Sequence, residues 1–234
     1  MKLSEAVRGV SGTLAADGEF SCIAFATEQE QSQFLTFLEK EKFLPALDNS
    51  KISCVLTTSA LAEKIPPHIK GVFLCDRPKA ALFEIHNRLA RHPDYVGASA
   101  ATVVGEGCSI SPLAAIDREN VVIGDRVTIE PFVVIKGRVI IGNDVTIRSG
   151  AVIGCKGFSF SKDAQGQNVS VEDTARIIIE DHVEIFEQVA ISTGIFPWEE
   201  TRIGENTKVD AQCHIGHGAH IGRNCLLAEG SRCC

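Results

Sequence analysis

The stretch Val121–Gly154 reads VVIGDRVTIEPFVVIKGRVIIGNDVTIRSGAVIG, and its apolar residues recur in sixes. Ile123, Ile129, Ile135, Ile141, Ile147 and Ile153 fall six apart without a slip. Two residues before each stands another apolar residue: Val121, Val127, Val133, Val139, Val145 and Ala151. Six is neither a helical period nor the simple alternation of a long strand. It suits short strands that turn a corner every six residues. The aliphatic and the residue two before it then point the same way, as strand neighbours do. Gly124, Gly142 and Gly154 follow three of the aliphatics, where a corner needs unusual dihedrals or close backbone approach. Three such sides make one coil of a parallel β-helix, and stacking the coils buries the apolar ladder.

Outward from this stretch the phase returns at Ile179, Ile185 and Ile191. It holds through Ile203, Val209, Ile215, Ile221 and Leu227, with Pro197 as the one break. An earlier run, Val104, Ile110 and Ile116, is offset by one residue, which puts an insertion in 117–120. The pattern predicts about six coils, at 104–116, 123–135, 141–153, 179–191, 197–209 and 215–227. Residues 193–200 (TGIFPWEE) fill two hexad lengths between Ile191 and Ile203, so the coil is expected to continue with one side distorted.

The expected fold class is therefore mainly β, in two domains: a small α/β domain over 1–98 and the β-helix over 99–234. In the first, Ile52–Thr58 and Gly71–Cys75 read as strands by their β-branched content. Pro78–Arg91 reads as a helix, with Ala81, Leu82, Ile85 and Leu89 on one face and Pro78 in its first turn. The denser apolar run at 29–47, with Phe34, Phe37, Leu38, Phe43 and Leu44, reads as core.

Composition narrows the function classes. A net charge of −7 and the lack of a basic run argue against nucleic-acid binding. No apolar run reaches membrane-spanning length and no leader pattern opens the chain, so a cytoplasmic setting is expected. None of the nine cysteines has C-x-x-C spacing. Cys108, Cys213 and Cys225 occupy the inward slot of the hexad, where cysteine acts as a small hydrophobe. Cys233 and Cys234 are expected to be reactive if exposed.

Two segments break the pattern in ways that suggest chemistry. Residues 154–175 leave the hexads in one polar excursion that carries Phe158 and Phe160. Later, Asp210-Ala-Gln-Cys-His214-Ile-Gly-His217-Gly-Ala-His220 places three histidines at three-residue spacing. Alternation turns His214 outward beside the buried Ile215. His217 lies near a corner between Gly216 and Gly218, which leave room for a substrate. Surface histidines, metal ligands and a general base stay open as readings; no Asp, Glu or Cys set with ligand spacing joins them. No nucleophile elbow, phosphate loop or dinucleotide fingerprint occurs.

The hexads resemble the hexapeptide-repeat acyltransferases, whose helix is left-handed. The α/β domain, the early hexad block, Ile153-Gly-Cys-Lys-Gly-Phe158-Ser-Phe160 and Asp210-Ala-Gln-Cys-His-Ile-Gly-His217 together resemble one family, UDP-3-O-(3-hydroxyacyl)glucosamine N-acyltransferase of lipid A biosynthesis. The resemblance implies transfer of a 3-hydroxyacyl group from the acyl carrier protein thioester to the 2-amine of a UDP-glucosamine derivative. It implies no bound cofactor or metal, acyl carrier protein (or CoA) as donor, and a homotrimer. It places His217 as the catalytic base, with Asp210 and His214 beside it. His214 falls where the family commonly has Gln. Phe37, Lys40 and Phe43 fall in the uracil pocket, and Gly157, Phe158 and Phe160 in the sugar-binding loop.

The family pattern T-F-x-x-N-P-K-Y reads here Thr36-Phe37-Leu38-Glu39-Lys40-Glu41-Lys42-Phe43, and a second Asn-Pro-Tyr reads Arg77-Pro78-Lys79. Lys40 cannot accept the hydrogen bond that an Asn oxygen accepts. Weaker uracil selectivity, with retained binding of an anionic nucleotide, is the expectation. The outward Phe132, Phe158 and Phe186 are expected at subunit contacts. Only seven residues follow Leu227, where family members continue to further coils and a helical segment. The last coil is thus expected to be the least stable and the donor half of the site incomplete. Other readings are an acetyl-CoA-dependent nucleotide-sugar N-acetyltransferase, a truncated and impaired trimeric homologue, and a non-catalytic trimeric scaffold.

Overall fold

The computed structural model describes residues 1–163 and 165–233. Ala164 and Cys234 lie outside the described residues. The described chain forms two compact units, one of 1–95 with 159–172, the other of 96–158 with 173–233.

In the first unit α1 (Leu3–Ala6) precedes β1 (Thr13–Ala16), β2 (Cys22–Ile23), β3 (Phe34–Leu38), β4 (Ile52–Thr57) and β5 (Gly71–Leu74). The sheet order is β1-β5-β4-β3-β2, with β1 antiparallel and the others parallel. Parallel strands buried on both sides read as continuous apolar runs. That is why Phe34–Leu38, read above only as core, is the interior strand β3, paired with β4 and β2. Helix α2 (Pro78–Leu89) starts at Pro78 as expected and buries Ala81, Leu82, Phe83, Ile85 and Leu89. A hairpin of Phe160–Lys162 with Asn168–Ser170 completes this unit, so most of the excursion folds with the α/β domain.

The second unit is a left-handed parallel β-helix of six coils. Its first face stacks Val103–Val104, Val121–Ile123, Arg138–Ile141, Arg176–Ile179, Glu200–Ile203 and His220–Ile221. The second runs from Ser109–Ile110 to Leu226–Leu227, and the third from Ala115–Ile116 to Arg232–Cys233. The inward rows of the four middle coils are buried almost without exception, and Cys213 sits among them. Cys108 is half-buried against the end of this core.

Hexad counting misplaces the last two coils. They run 200–215 and 220–233, because all of 193–199 projects from one corner. The residues after Leu227 form the closing strand, which pairs with His214–Ile215.

The corners show what the glycines do. Gly124, Gly142 and Gly204 lie outside the left-handed region. A Cβ on Gly124 would come 2.7 Å from the backbone of Gly142, and one on Gly204 would come 2.6 Å from that of Gly222. Close approach of stacked coils is therefore their reason. The left-handed dihedrals fall two residues later, on Arg126, Asp144, His182, Asn206 and Asn224. Each costs on the order of 1 kcal/mol. Side-chain ladders help hold the same corner: Asn143 Oδ1 accepts from Asp125 N at 2.9 Å, and Asp181 Oδ1 from Asn143 N at 2.7 Å.

In the sixth coil Ile221 and Leu227 are half-buried and Leu226 is 83% exposed. Ile141, Ile147 and Ile153 are fully enclosed. Native-state hydrogen exchange is therefore expected to protect amides of 141–153 well above those of 215–227. Equal protection would show that the sixth coil is as stable as the centre.

Candidate functional site

Three successive turns rise from one corner of the β-helix, where the third face hands over to the first. They are 154–175, 193–199 and 216–219, in adjacent coils. His217 sits on the last of them and is exposed. Its side chain has no hydrogen-bond partner among the described residues. The turn beneath it is fixed. Gly216 N donates to Cys233 O at 2.6 Å, and Gly218 N donates to Thr201 Oγ1 at 3.0 Å. Thr201 is fully buried and donates to Ser192 O at 2.9 Å. Gly218 has φ 70 and open space on its Cβ side. A rigid turn thus presents an imidazole to whatever occupies the corner.

The turn above is braced by Glu199, whose Oε2 accepts from Ile195 N at 2.9 Å and Phe196 N at 3.1 Å. Phe196 stacks on Trp198 with ring centroids 5.9 Å apart. The root of the first turn is held by Gly157 N donating to Asp173 Oδ2 at 2.8 Å. Phe158 is highly exposed.

His214 lies on the third face, in the strand that leads directly into the His217 turn, with Nε2 at 3.1 Å from Ser192 Oγ. Asp210 lies at the other end of that strand, on a different corner. There its Oδ1 accepts from Ala211 N at 2.8 Å. Asp210 makes no hydrogen bond to either histidine among the described residues.

In the first unit Phe37, Lys40 and Phe43 all follow or end β3 at the carboxyl edge of the sheet. This is the edge where open α/β sheets bind ligands. Phe37 is half-buried, edge-on to Phe25 at 6.4 Å. Phe43 is 55% exposed, with Lys42 Nζ 4.8 Å from its ring centroid. A cavity of about 350 Å³ opens elsewhere in this unit, between α2 and the hairpin, lined by residues that include Cys75, Arg77, Phe83, Asn87 and Lys162. None of the three predicted nucleotide residues lines it. Burial pushes the Cys75 thiol up to about 11, so it is no thiolate nucleophile at neutral pH.

The hairpin is tied to α2 through polar groups. Arg77 donates to the carbonyls of Lys162 and Asp163, and Asn87 Nδ2 donates to Ser170 O at 2.8 Å. The buried His86 ring has Nδ1 3.1 Å from Tyr95 Oη and Nε2 2.8 Å from Glu172 O. Desolvation holds the His86 pKa below its ordinary 6.5. The folded state then prefers the neutral ring, while the unfolded chain takes up a proton as pH falls through about 6.5. His86 favours folding fully above that pH and progressively less below it. Exchange protection of the hairpin in the wild type is expected to weaken on going from pH 7.5 to 5.5. A His86→Gln variant should lose this pH component, and a wild type with no pH response would contradict the assignment.

A family model for the bacterial transferase hexapeptide (six repeats) matches residues 120–155 and 200–234. A UDP-3-O-acylglucosamine N-acyltransferase from Bradyrhizobium sp. is 40% identical over 87% of this chain and 64% of its own length. Over most of its length the chain is similar to UDP-3-O-acylglucosamine N-acyltransferases. It is also 28% identical to the Coxiella burnetii protein of that name, over 97% of this chain and 72% of the relative. This chain thus spans less than two thirds of the Bradyrhizobium protein. Among solved structures it is similar to a UDP-N-acetylglucosamine acyltransferase from Bacteroides fragilis, at 32% identity and TM-score 0.48, over 57% of this chain and 48% of that one.

Within this chain the predicted residues form separate groups. His214 and His217 share one coil end, and Gly157 and Phe158 lie at the root of a turn on the same corner. Phe37, Lys40 and Phe43 share the carboxyl edge of the α/β sheet, while Phe160 lies in the hairpin. Sequence reasoning missed Ser192, Thr201 and Cys155. Each is 13 or more residues from His214 in sequence, and only the stacking of coils brings them together.

Proposed function

We propose that this chain is an N-acyltransferase of lipid A biosynthesis. It would move a (3-hydroxy)acyl group from acyl carrier protein to the 2-amine of a UDP-glucosamine derivative. The observation that carries this reading is the exposed His217 on a rigid Gly-flanked turn, at the corner where two longer turns also project. In the reaction the amine nitrogen attacks the thioester carbonyl, and His217 takes the amine proton. The C–N bond forms, the C–S bond breaks, and the proton leaves with the thiol of the carrier. Backbone N–H groups would stabilise the oxyanion. No bound cofactor is required. A cytoplasmic setting goes with this reading; no helix among the described residues is long and apolar enough to cross a membrane.

For the acceptor, Phe37 and Phe43 would meet the base and Lys40 the phosphates. Lys42 already lies on one face of Phe43, and Lys40 offers no acceptor to uracil. Titration with UDP-, CDP- and ADP-sugars is expected to show binding of all three with a UDP preference under about tenfold. Failure of every nucleotide sugar to bind would overturn the reading, and a strong UDP preference would overturn the weakened selectivity.

The reading includes a homotrimer. Val103, Val122, Ile140 and Ile178 stack in register on the outward side of the first face, forming an apolar ladder over four coils. Three of them are exposed in the single chain, as is Phe132 at 66%. Phe186 is half-buried beneath Arg148, whose guanidinium lies 4.6 Å from its ring centroid. Light scattering at micromolar concentration is expected to give a trimer, and a monomer would reject it.

A further inference from the structure

Three side chains on consecutive coils of the third face form one hydrogen-bonded row. Cys155 ends the strand Val152–Cys155, Ser192 ends Ala190–Ser192, and His214 opens His214–Ile215. The parallel register stacks Val152 on Ala190 and Ala190 on His214, and pairs Cys155 with Ser192. Cys155 Sγ lies 3.4 Å from Ser192 Oγ, which lies 3.1 Å from His214 Nε2. Ser192 is 4% exposed, while Cys155 and His214 are half-buried. The Ser192 carbonyl accepts from Thr201, and Thr201 in turn accepts from the Gly218 N–H next to His217. Ser192 therefore touches both histidines' supports, the His214 ring directly and the His217 turn through Thr201.

The donor and acceptor inventory decides which way the protons run. A serine hydroxyl has one proton to give, and it lies between an imidazole nitrogen and a sulfur. Sulfur is a weak acceptor and imidazole nitrogen a good one. The hydroxyl proton goes to Nε2, and the Cys155 S–H points at the freed Ser192 oxygen. With Nε2 accepting, a neutral His214 carries its own proton on Nδ1. Burial of Ser192 sets it apart from an acyl-enzyme nucleophile, which must meet its substrate. Nothing among the described residues orients His214 from the Nδ1 side, as the third member of a nucleophilic triad would.

We infer that Ser192 and Cys155 are positioning residues that lock His214 as an Nδ1–H donor to a substrate oxygen, leaving His217 as the sole base. This rests on the acyl-transfer reading for the identity of the substrate. The tautomer itself does not. A donor beside the reacting thioester would steady the charge that develops on the carbonyl oxygen.

Long-range proton–nitrogen spectra of the full chain test it. The wild type is expected to show His214 in the Nδ1–H form. Ser192→Ala should release it towards the Nε2–H form, while the His217 signals stay in place. Cys155→Ser, which keeps a donor, should retain the wild-type tautomer; Cys155→Ala should loosen it. A wild-type His214 in the Nε2–H form, or one indifferent to Ser192→Ala, would overturn the inference. In turnover assays Ser192→Ala is expected to lower kcat about tenfold with KM unchanged. An acyl group found on Ser192 by mass spectrometry would replace the positioning role with a nucleophilic one. A wild type that turns over no thioester would count against the acyl-transfer reading, and the spectra would still decide the tautomer.

Discussion

Replacing His217 with alanine is expected to reduce N-acyl transfer by about 10²–10⁴-fold, the range for removal of a general base. The substitution should leave the fold alone. The ring is exposed, has no hydrogen-bond partner among the described residues and fills no core space. The turn is held by Gly216 and Gly218 backbone bonds that His217→Ala does not touch. Light scattering and the urea midpoint should therefore match the wild type while turnover collapses. A loss below tenfold would contradict the assignment of the base, and full retention would favour a scaffold. Asp210→Asn serves as the contrast. Asp210 caps a turn on another corner, so its substitution should change turnover far less than His217→Ala.

The largest stability effect is expected at Gly154, where the first long turn leaves the coil. Its φ is 87, and a Cβ there would come 2.0 Å from Lys136 O. Lys136 belongs to the neighbouring coil, so the obstruction is backbone and cannot rotate away. Gly154→Ala combines left-handed strain of about 1 kcal/mol with a clash that must push coils apart. A loss of about 3 kcal/mol or more in urea unfolding is expected. Gly166 gives the control, with φ 79 and nothing within 4 Å of an added Cβ. Gly166→Ala should cost about 1 kcal/mol, the dihedral part alone. Equal losses at the two glycines would show that the coil contact at Lys136 carries no weight.

The β-helix is legible because its burial is periodic. Each inward aliphatic meets the same neighbours every coil, so Val121 to Ile153 alone imply strand length, corner spacing and stacking. The same regularity hides an error. An insertion of six residues, such as 194–199, preserves the phase of a six-residue repeat. Counting sixes therefore treats Pro197 and Trp198 as a distorted side, when they project from a corner. The strand β3 was obscured for the opposite reason. Its residues are buried on both faces, so Phe34–Leu38 shows no alternation.

The site divides in the same way. His217 is readable because flanking glycines and the break in a strand are local signals. Gly157 and Phe158 are readable because they interrupt the hexads. Ser192 and Cys155 have no local mark. They matter through register, since Ser192 stands 22 residues from His214 and Cys155 another 37 away from Ser192. Asp210 is close to His217 in sequence but lies across the third face, because seven residues of extended chain carry it to the next corner.

Whether this chain moves a 3-hydroxyacyl group to an amine can be read from the mass of the product. The chain is incubated with a UDP-3-O-acylglucosamine and either a 3-hydroxyacyl-loaded acyl carrier protein or acetyl-CoA. The predicted result is a nucleotide sugar heavier by one 3-hydroxyacyl group, formed with the carrier protein and absent with His217→Ala. A product heavier by a two-carbon acetyl group only, formed only with acetyl-CoA, would contradict it.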